Sequence, residues 1–340
     1  MSNKTGQGIS RREFVHRTGV LAGGALWGAA AAQAAAPAAE GNAIPKRVLG
    51  KTGVAVTAMT LGTAPCGFIK PANPKLVAEC VNAAIDLGLS AIDTAPGYDV
   101  AEEGVGLALG KRRKQVFLST KVLADDVPAA EKILANSLKM LKTDYVDLLY
   151  FHQTGERNVD ICRNADGVFT WLVKQKKAGK IRFVGISIHN HPAKCLELLE
   201  SGEVDVLLTI INFVDRHTYR FEEKVLPVAR KHNVGIVAMK AFGGAKGGNY
   251  ADPNCPPLVD AQHLELAVRY SLGVPGVATL DIGCHNVDQI RKNIAMVVGV
   301  KPLTGEEAAK VDALGRKLAA QWKDHLGPIA GIPSYRGSLA

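Results

Sequence analysis

From Val56 onward one unit recurs eight times: a short apolar, β-branched run followed by a longer stretch of helical periodicity. The runs fall near 56–62, 90–94, 115–121, 145–151, 181–187, 204–211, 234–240 and 276–282. The helical stretches fall near 75–88, 100–111, 127–142, 167–180, 192–202, 219–233, 259–273 and 286–298. Eight such pairs in about 250 residues are the count and length of a closed parallel α/β barrel, the (β/α)8 or TIM-barrel class. An open doubly wound sheet would carry Gly-x-Gly-x-x-Gly after its first strand, and Leu61-Gly-Thr-Ala-Pro-Cys-Gly67 lacks that spacing. Residues 44–54, with Leu49-Gly-Lys-Thr-Gly53, read as a small hairpin before the barrel; a further helix near 305–325 and a Gly/Pro-containing tail over 327–340 follow it. The domain expected is 47–326.

In such a barrel the carboxyl ends of all strands face one opening. Asp93 ends the second strand, Lys121 the third and His152 the fourth; Tyr98 stands five residues beyond Asp93 in Asp93-Thr-Ala-Pro-Gly-Tyr98. A phenol beside an ammonium, a carboxylate to hold that ammonium and an imidazole to orient a carbonyl are the parts needed to protonate an oxygen while hydride arrives at its carbon. A free phenol has a pKa of about 10, and the Lys121 ammonium is expected to lower that of Tyr98 while Asp93 offsets the ammonium's desolvation. A strand-end ion pair without chemistry would account for Asp93 and Lys121, but not for the phenol and imidazole with them.

The segments between these residues carry a resemblance. Ser137-Leu138, Leu141, Asp144-Tyr145, Asp147-Leu148 and His152, then Gly179-Lys-Ile-Arg-Phe-Val-Gly-Ile-Ser187, resemble the signature segments of the aldo-keto reductase family, and the likeness runs from about Arg47 to about Val298. It implies a hairpin plugging the barrel floor and a carbonyl substrate reduced to an alcohol, or the reverse. Tyr98 would be the general acid/base, with Asp93, Lys121 and His152 completing a catalytic tetrad. It also implies a bound nicotinamide dinucleotide, NADP(H) ahead of NAD(H), and no metal. Contacts to that cofactor would come from Gly62, Thr63 and Asp93 near the first two strand ends and from Ser187 with His189 or Asn190 after the fifth. The place that often carries Gln falls on Leu208 or Thr209, and Met239 stands where many members stack an aromatic on the nicotinamide. Lys240 and the glycine-rich loop beginning at Gly243 would approach the pyrophosphate. Gly283, Cys284, Gln289 and Asn293 would lie along the adenosine. Gly283, Cys284 and Gln289 replace the Lys, Ser and Arg of several relatives, leaving His285 and Arg291 as candidate substitutes. In the family the strand-end loops and C-terminal tail set the substrate, here including 155–166 and Ser334-Tyr335-Arg336.

Ser10-Arg11-Arg12-Glu13-Phe14-Val15, followed by an Ala- and Gly-rich run over 20–36, matches a twin-arginine export signal. That run is too weakly apolar for a spanning helix. The expected organisation is a signal over 1–36 cleaved near Ala32-Gln33-Ala34, a linker over 37–46, passage through the twin-arginine translocase and a periplasmic location. Of the formal charge of +9, three units lie in residues 1–34, where Lys4, Arg11, Arg12 and Arg17 face Glu13, so six remain. No Lys/Arg stripe interleaved with aromatics marks a nucleic-acid surface. The six cysteines lack any Cys-x-x-Cys pair, which argues against zinc ribbons and thioredoxin-like chemistry.

Two other classes compete. His152, His189 and His191 near adjacent strand ends would suit a metal-dependent hydrolase barrel, which leaves Tyr98 and Lys121 unexplained. A non-catalytic, nucleotide-binding redox-sensing subunit would keep the fold without the turnover. The sequence does not state the oligomeric state.

Overall fold

The structure is a computed structural model and describes residues 43–330. The expected export signal, most of the expected 37–46 linker and residues 331–340 of the tail lie outside the described residues.

Strands β1 (Lys46–Val48) and β2 (Ala55–Thr57) form the expected antiparallel hairpin. Its turn buries Leu49, 1% exposed, and the Lys51 N–H donates to the Asn233 carbonyl at 2.5 Å, which fastens the hairpin to the barrel floor. Eight parallel strands follow: β3 (Met59–Gly62), β4 (Ala91–Asp93), β5 (Phe117–Val122), β6 (Val146–Phe151), β7 (Ile181–Ile188), β8 (Val206–Ile210), β9 (Gly235–Met239) and β10 (Val277–Gly283). They pair in chain order, and β10 closes the ring on β3. These strands read as continuous apolar runs because both faces are covered, one by the barrel interior and the other by helices. Inside, Phe117 stacks on Phe183 at 6.0 Å and Thr60 bonds Thr279 at 2.9 Å.

The helices are α1 (Ala64–Phe68), α2 (Pro74–Asp86), α3 (Ala101–Leu109), α4 (Val127–Met140), α5 (Val159–Arg163), α6 (Val168–Lys177), α7 (Pro192–Glu200), α8 (Phe221–Lys224), α9 (Leu226–Lys231), α10 (Leu264–Gly273), α11 (Val287–Val298) and α12 (Gly305–Trp322). In α2, Val77, Cys80, Val81 and Ala84 are buried at the three- and four-residue spacing that puts them on one stripe. Side-chain caps fix the starts of α2 (Asn73), α4 (Asp126), α5 (Asn158) and α11 (Asn286).

Three expected boundaries shift. The run 56–62 divides between hairpin and barrel, because Thr57 is the last residue paired with β1 and Met59 the first paired with β10. The stretch 219–233 becomes two short helices, since Pro227 has no N–H to continue the ladder from α8. The stretch 100–111 ends its α-helix at Leu109 and passes at Gly110, with φ +34°, into a tighter turn through Gln115. All six cysteines are free thiols, five of them buried.

Candidate active site

Strand ends β4, β5 and β6 bring four of the expected side chains to one cavity of about 330 Å³. Lys121, inward-facing on β5 and 1% exposed, donates to the Asp93 carboxylate and to the Thr94 carbonyl at 2.9 Å. Ser119 donates to the other Asp93 oxygen at 2.6 Å, so that carboxylate is fixed from two sides. The Lys121 ammonium lies 4.8 Å from the centre of the Tyr98 ring. Tyr98 meets His152 edge to face at 6.4 Å, and Phe68 packs against its ring at 5.8 Å.

Burial decides the protonation states. The Tyr98 phenol is pushed up to about 12, because desolvation and the charges of Asp93 and Asp281 outweigh the pull of Lys121. The sequence-based expectation of a lowered phenol is therefore corrected: Lys121 acts in the expected direction and loses to burial. Burial works against the Lys121 ammonium too, but Asp93, Tyr98 and Asp281 reverse the balance and its pKa ends raised. Burial, then Lys121, holds His152 well below the usual imidazole value, and His189 falls to about 3 through burial and Lys240. The base of the cavity thus presents a protonated phenol, an ammonium and a neutral imidazole.

Of the expected cofactor residues, Gly62, Ser187, His189, Met239, Lys240, Gly283, Gln289 and Asn293 line this cavity with Asp93. Leu208 faces it, whereas the Thr209 hydroxyl turns away to the Ile188 carbonyl. Thr63, Asn190, Gly243 and Cys284 do not line it. Thr63 donates to the Asp93 carbonyl, Asn190 is buried beside Gly155 and Gly327, Gly243 packs against Trp322, and Cys284 accepts a hydrogen bond from Asn293. Arg291 is spent on Asp288 on an exposed face and also lies off the cavity.

A long polar ligand fits this lining. The wall is bare at Gly62 and Gly283, where a side-chain carbon would collide with Asp281 and Pro65, so a ligand meets backbone there. Lys240, which donates to the Tyr250 hydroxyl at 2.6 Å, and Lys292 at the rim offer cations to phosphates. Among the described residues no group of three His, Cys, Asp or Glu side chains is arranged to hold a metal. His191 caps α7 with φ +48°.

Three charged or hydroxyl-bearing lining residues escaped sequence reasoning. Asp281 carried a signal, a carboxylate in an apolar strand at an inward position. Lys292 carried another, lying three residues after Gln289 on one helix. Tyr250 sits in an irregular loop with no such periodicity.

The sequence profile of the aldo/keto reductase family matches residues 58–256. The chain belongs to this family. It is 30% identical to human aldo-keto reductase family 1 member C2 over 79% of its own length and 92% of that protein's. It is 25% identical to L-galactose dehydrogenase of Arabidopsis thaliana, covering 80% of this chain and 94% of the plant enzyme. Among solved structures, a Klebsiella pneumoniae aldo-keto reductase in complex with NADPH matches with a TM-score of 0.64 at 25% identity, covering 80% of this chain and 95% of that one. The aldo/keto reductase assignment agrees with the closed barrel and leaves the metal-hydrolase alternative without support.

Proposed function

We propose that this aldo/keto reductase interconverts a carbonyl and an alcohol with NADP(H), using Tyr98 as general acid/base, and that it does so after export in folded form. One observation carries the catalytic part: the buried Lys121 ammonium, held by Asp93, lies 4.8 Å from the ring of a phenol that opens on the cavity.

The nicotinamide, when bound, supplies or accepts hydride at the carbonyl carbon. The chain's own residues handle the oxygen. Tyr98 donates its phenolic proton as negative charge grows there. A phenol near 12 remains a competent acid for this step, because an alkoxide is about as basic as hydroxide, whose conjugate acid has a pKa of about 15.7. Transfer is then downhill by roughly three to four units, about 5 kcal/mol. Lys121 stabilises the phenolate that remains and Asp93 keeps the ammonium in place. Neutral His152, across from Tyr98, orients the oxygen by a hydrogen bond without competing as an acid. Leu208, Met239 and Phe242 keep the wall apolar and water out.

NADP(H) is favoured by the NADPH bound in the Klebsiella relative and by Lys240 and Lys292 on this cavity. Export through the twin-arginine translocase to the periplasm is favoured by Arg11 and Arg12 with the Ala-rich run behind them. That route suits an enzyme that takes up a dinucleotide before crossing the membrane.

The test is consumption of NADPH or NADH by the purified protein against a panel of aldehydes, ketones and quinones. Carbonyl-dependent oxidation of NADPH in preference to NADH is expected. Turnover of no carbonyl with either nucleotide, despite tight nucleotide binding, would favour a redox-sensing subunit instead.

A further inference from the structure

One carboxyl group at the cavity base has no part in the proton transfer described above. Asp281 pairs in register with Thr60 of β3 and Met239 of β9. Alternate residues of β10 face inward, and Thr279, two positions earlier, bonds Thr60 across the interior. Asp281 therefore enters the barrel one layer higher, where it lines the cavity with Asp93, Tyr98 and Lys121. Its Oδ1 is buried without a hydrogen-bond partner, pressed so closely by Gly62 that a side-chain carbon there would lie 2.5 Å away. A carboxylate held this way is an expensive element of a barrel interior. The titratable groups facing it are Asp93 from β4, Tyr98 from the following loop, Lys121 from β5, Tyr150 from β6, Lys240 after β9 and Cys284 after β10.

We propose that Asp281 is a positioning residue for proton transfer: a second carboxylate that shares the field of the Lys121 ammonium with Tyr98 and sets the pH range over which the phenol keeps its proton. The inference rests on Tyr98 being the proton donor. Two neighbouring carboxylates resist ionising together. Burial first, and then the charge of Asp93, raise Asp281 to about 8, so near neutrality it holds its proton. Above that it releases the proton to solvent and adds a negative charge facing Tyr98. Phenolate then becomes harder to form. Reduction, which needs the phenol, is preserved in alkali, whereas oxidation of an alcohol, which needs the phenolate, is held back.

The decisive variant is Asp281→Asn, which keeps shape and removes ionisation, with Asp281→Ser as a smaller alternative. The rate of alcohol oxidation with NADP is followed against pH for parent and variant. The expected ratio of variant to parent kcat is near one below about pH 6 and rises to about tenfold above about pH 9, the equivalent of one unit at Tyr98. Independently of turnover, NMR of isotope-labelled aspartate in the nucleotide-free protein should show one carboxyl resonance titrating near the value above and absent from the variant. A ratio that stays flat across pH in an active enzyme overturns the inference and leaves the reductase reading intact. Failure of both variants to fold also overturns it, since Asp281 would then be a structural residue. An inactive parent with a titrating Asp281 would instead count against the reductase reading.

Discussion

A single ammonium organises the residues of this site. Lys121 is buried with its ammonium paired to Asp93, and removing it leaves a buried carboxylate without a counter-charge, held only by the Ser119 hydroxyl. Lys121→Met should therefore lose about 3–5 kcal/mol of stability as well as most carbonyl turnover, whereas a loss of activity with unchanged denaturant midpoint would show that the pair is not a structural unit. The histidines give a pH dependence of known sign. His152 and His189 are held below the usual imidazole value in the folded state, so the unfolded chain takes up their protons first, near pH 6.5. Stability from these two groups is complete above that pH and is lost as pH falls from there toward the folded values. His189→Gln should flatten the fall in melting temperature between about pH 6.5 and 4; a variant with the parent's slope would exclude His189 as the source. At this scale Asp93, Tyr98, Lys121 and His152 were legible because each chemistry-bearing type falls at or just beyond a strand end. The protonation of Tyr98 was not, because sequence shows which charges are neighbours but not how much water burial removes. That the Thr63 and Cys284 side chains turn to Asp93 and Asn293 was hidden for a related reason: position in a segment does not tell which way a side chain turns.

Among the elements, β6 shows how a signature residue can serve the frame. Asp147 is buried, accepts the Leu118 N–H at 2.9 Å and Arg113 at 2.8 Å, and is also held by Arg182. It thereby ties the floor ends of β5, β6 and β7 together, far from the carboxyl-end cavity. Asp147→Ala strands the buried Arg113 guanidinium, and an expected loss of about 3–5 kcal/mol should be read in denaturant unfolding, with kcat of the surviving folded enzyme within about twofold of the parent. A large kcat effect in stable protein would give Asp147 a different role. Strand and helix order was legible throughout because period two and period 3.6 differ sharply over such lengths. Boundaries were less so. Nothing in the apolar run from Val56 announces that Thr57 bonds β1 and Met59 bonds β10, since that division depends on long-range pairing.

For the whole molecule, the fold followed from counting: eight strand–helix units close a ring, and a closed ring gathers eight strand ends at one mouth. The loop from Gly243 through Pro257 was the part least open to such reading, because Tyr250 reaches Lys240, and its carbonyl reaches His285, through contacts set by the closed barrel. The proposed export is also a property of the intact chain. Replacing Arg11 and Arg12 with Lys should leave the protein uncleaved in the cytoplasm, as seen by fractionation; mature protein still reaching the periplasm would exclude the twin-arginine route. The central claim, that a buried phenol protonates the carbonyl oxygen, is tested most directly by Tyr98→Phe, which removes the proton donor and keeps the ring. The result expected is a fall in kcat for NADPH-dependent carbonyl reduction of about 10²–10⁴-fold with NADPH affinity and KM little changed; near-full activity of the variant across the same carbonyl panel would contradict it.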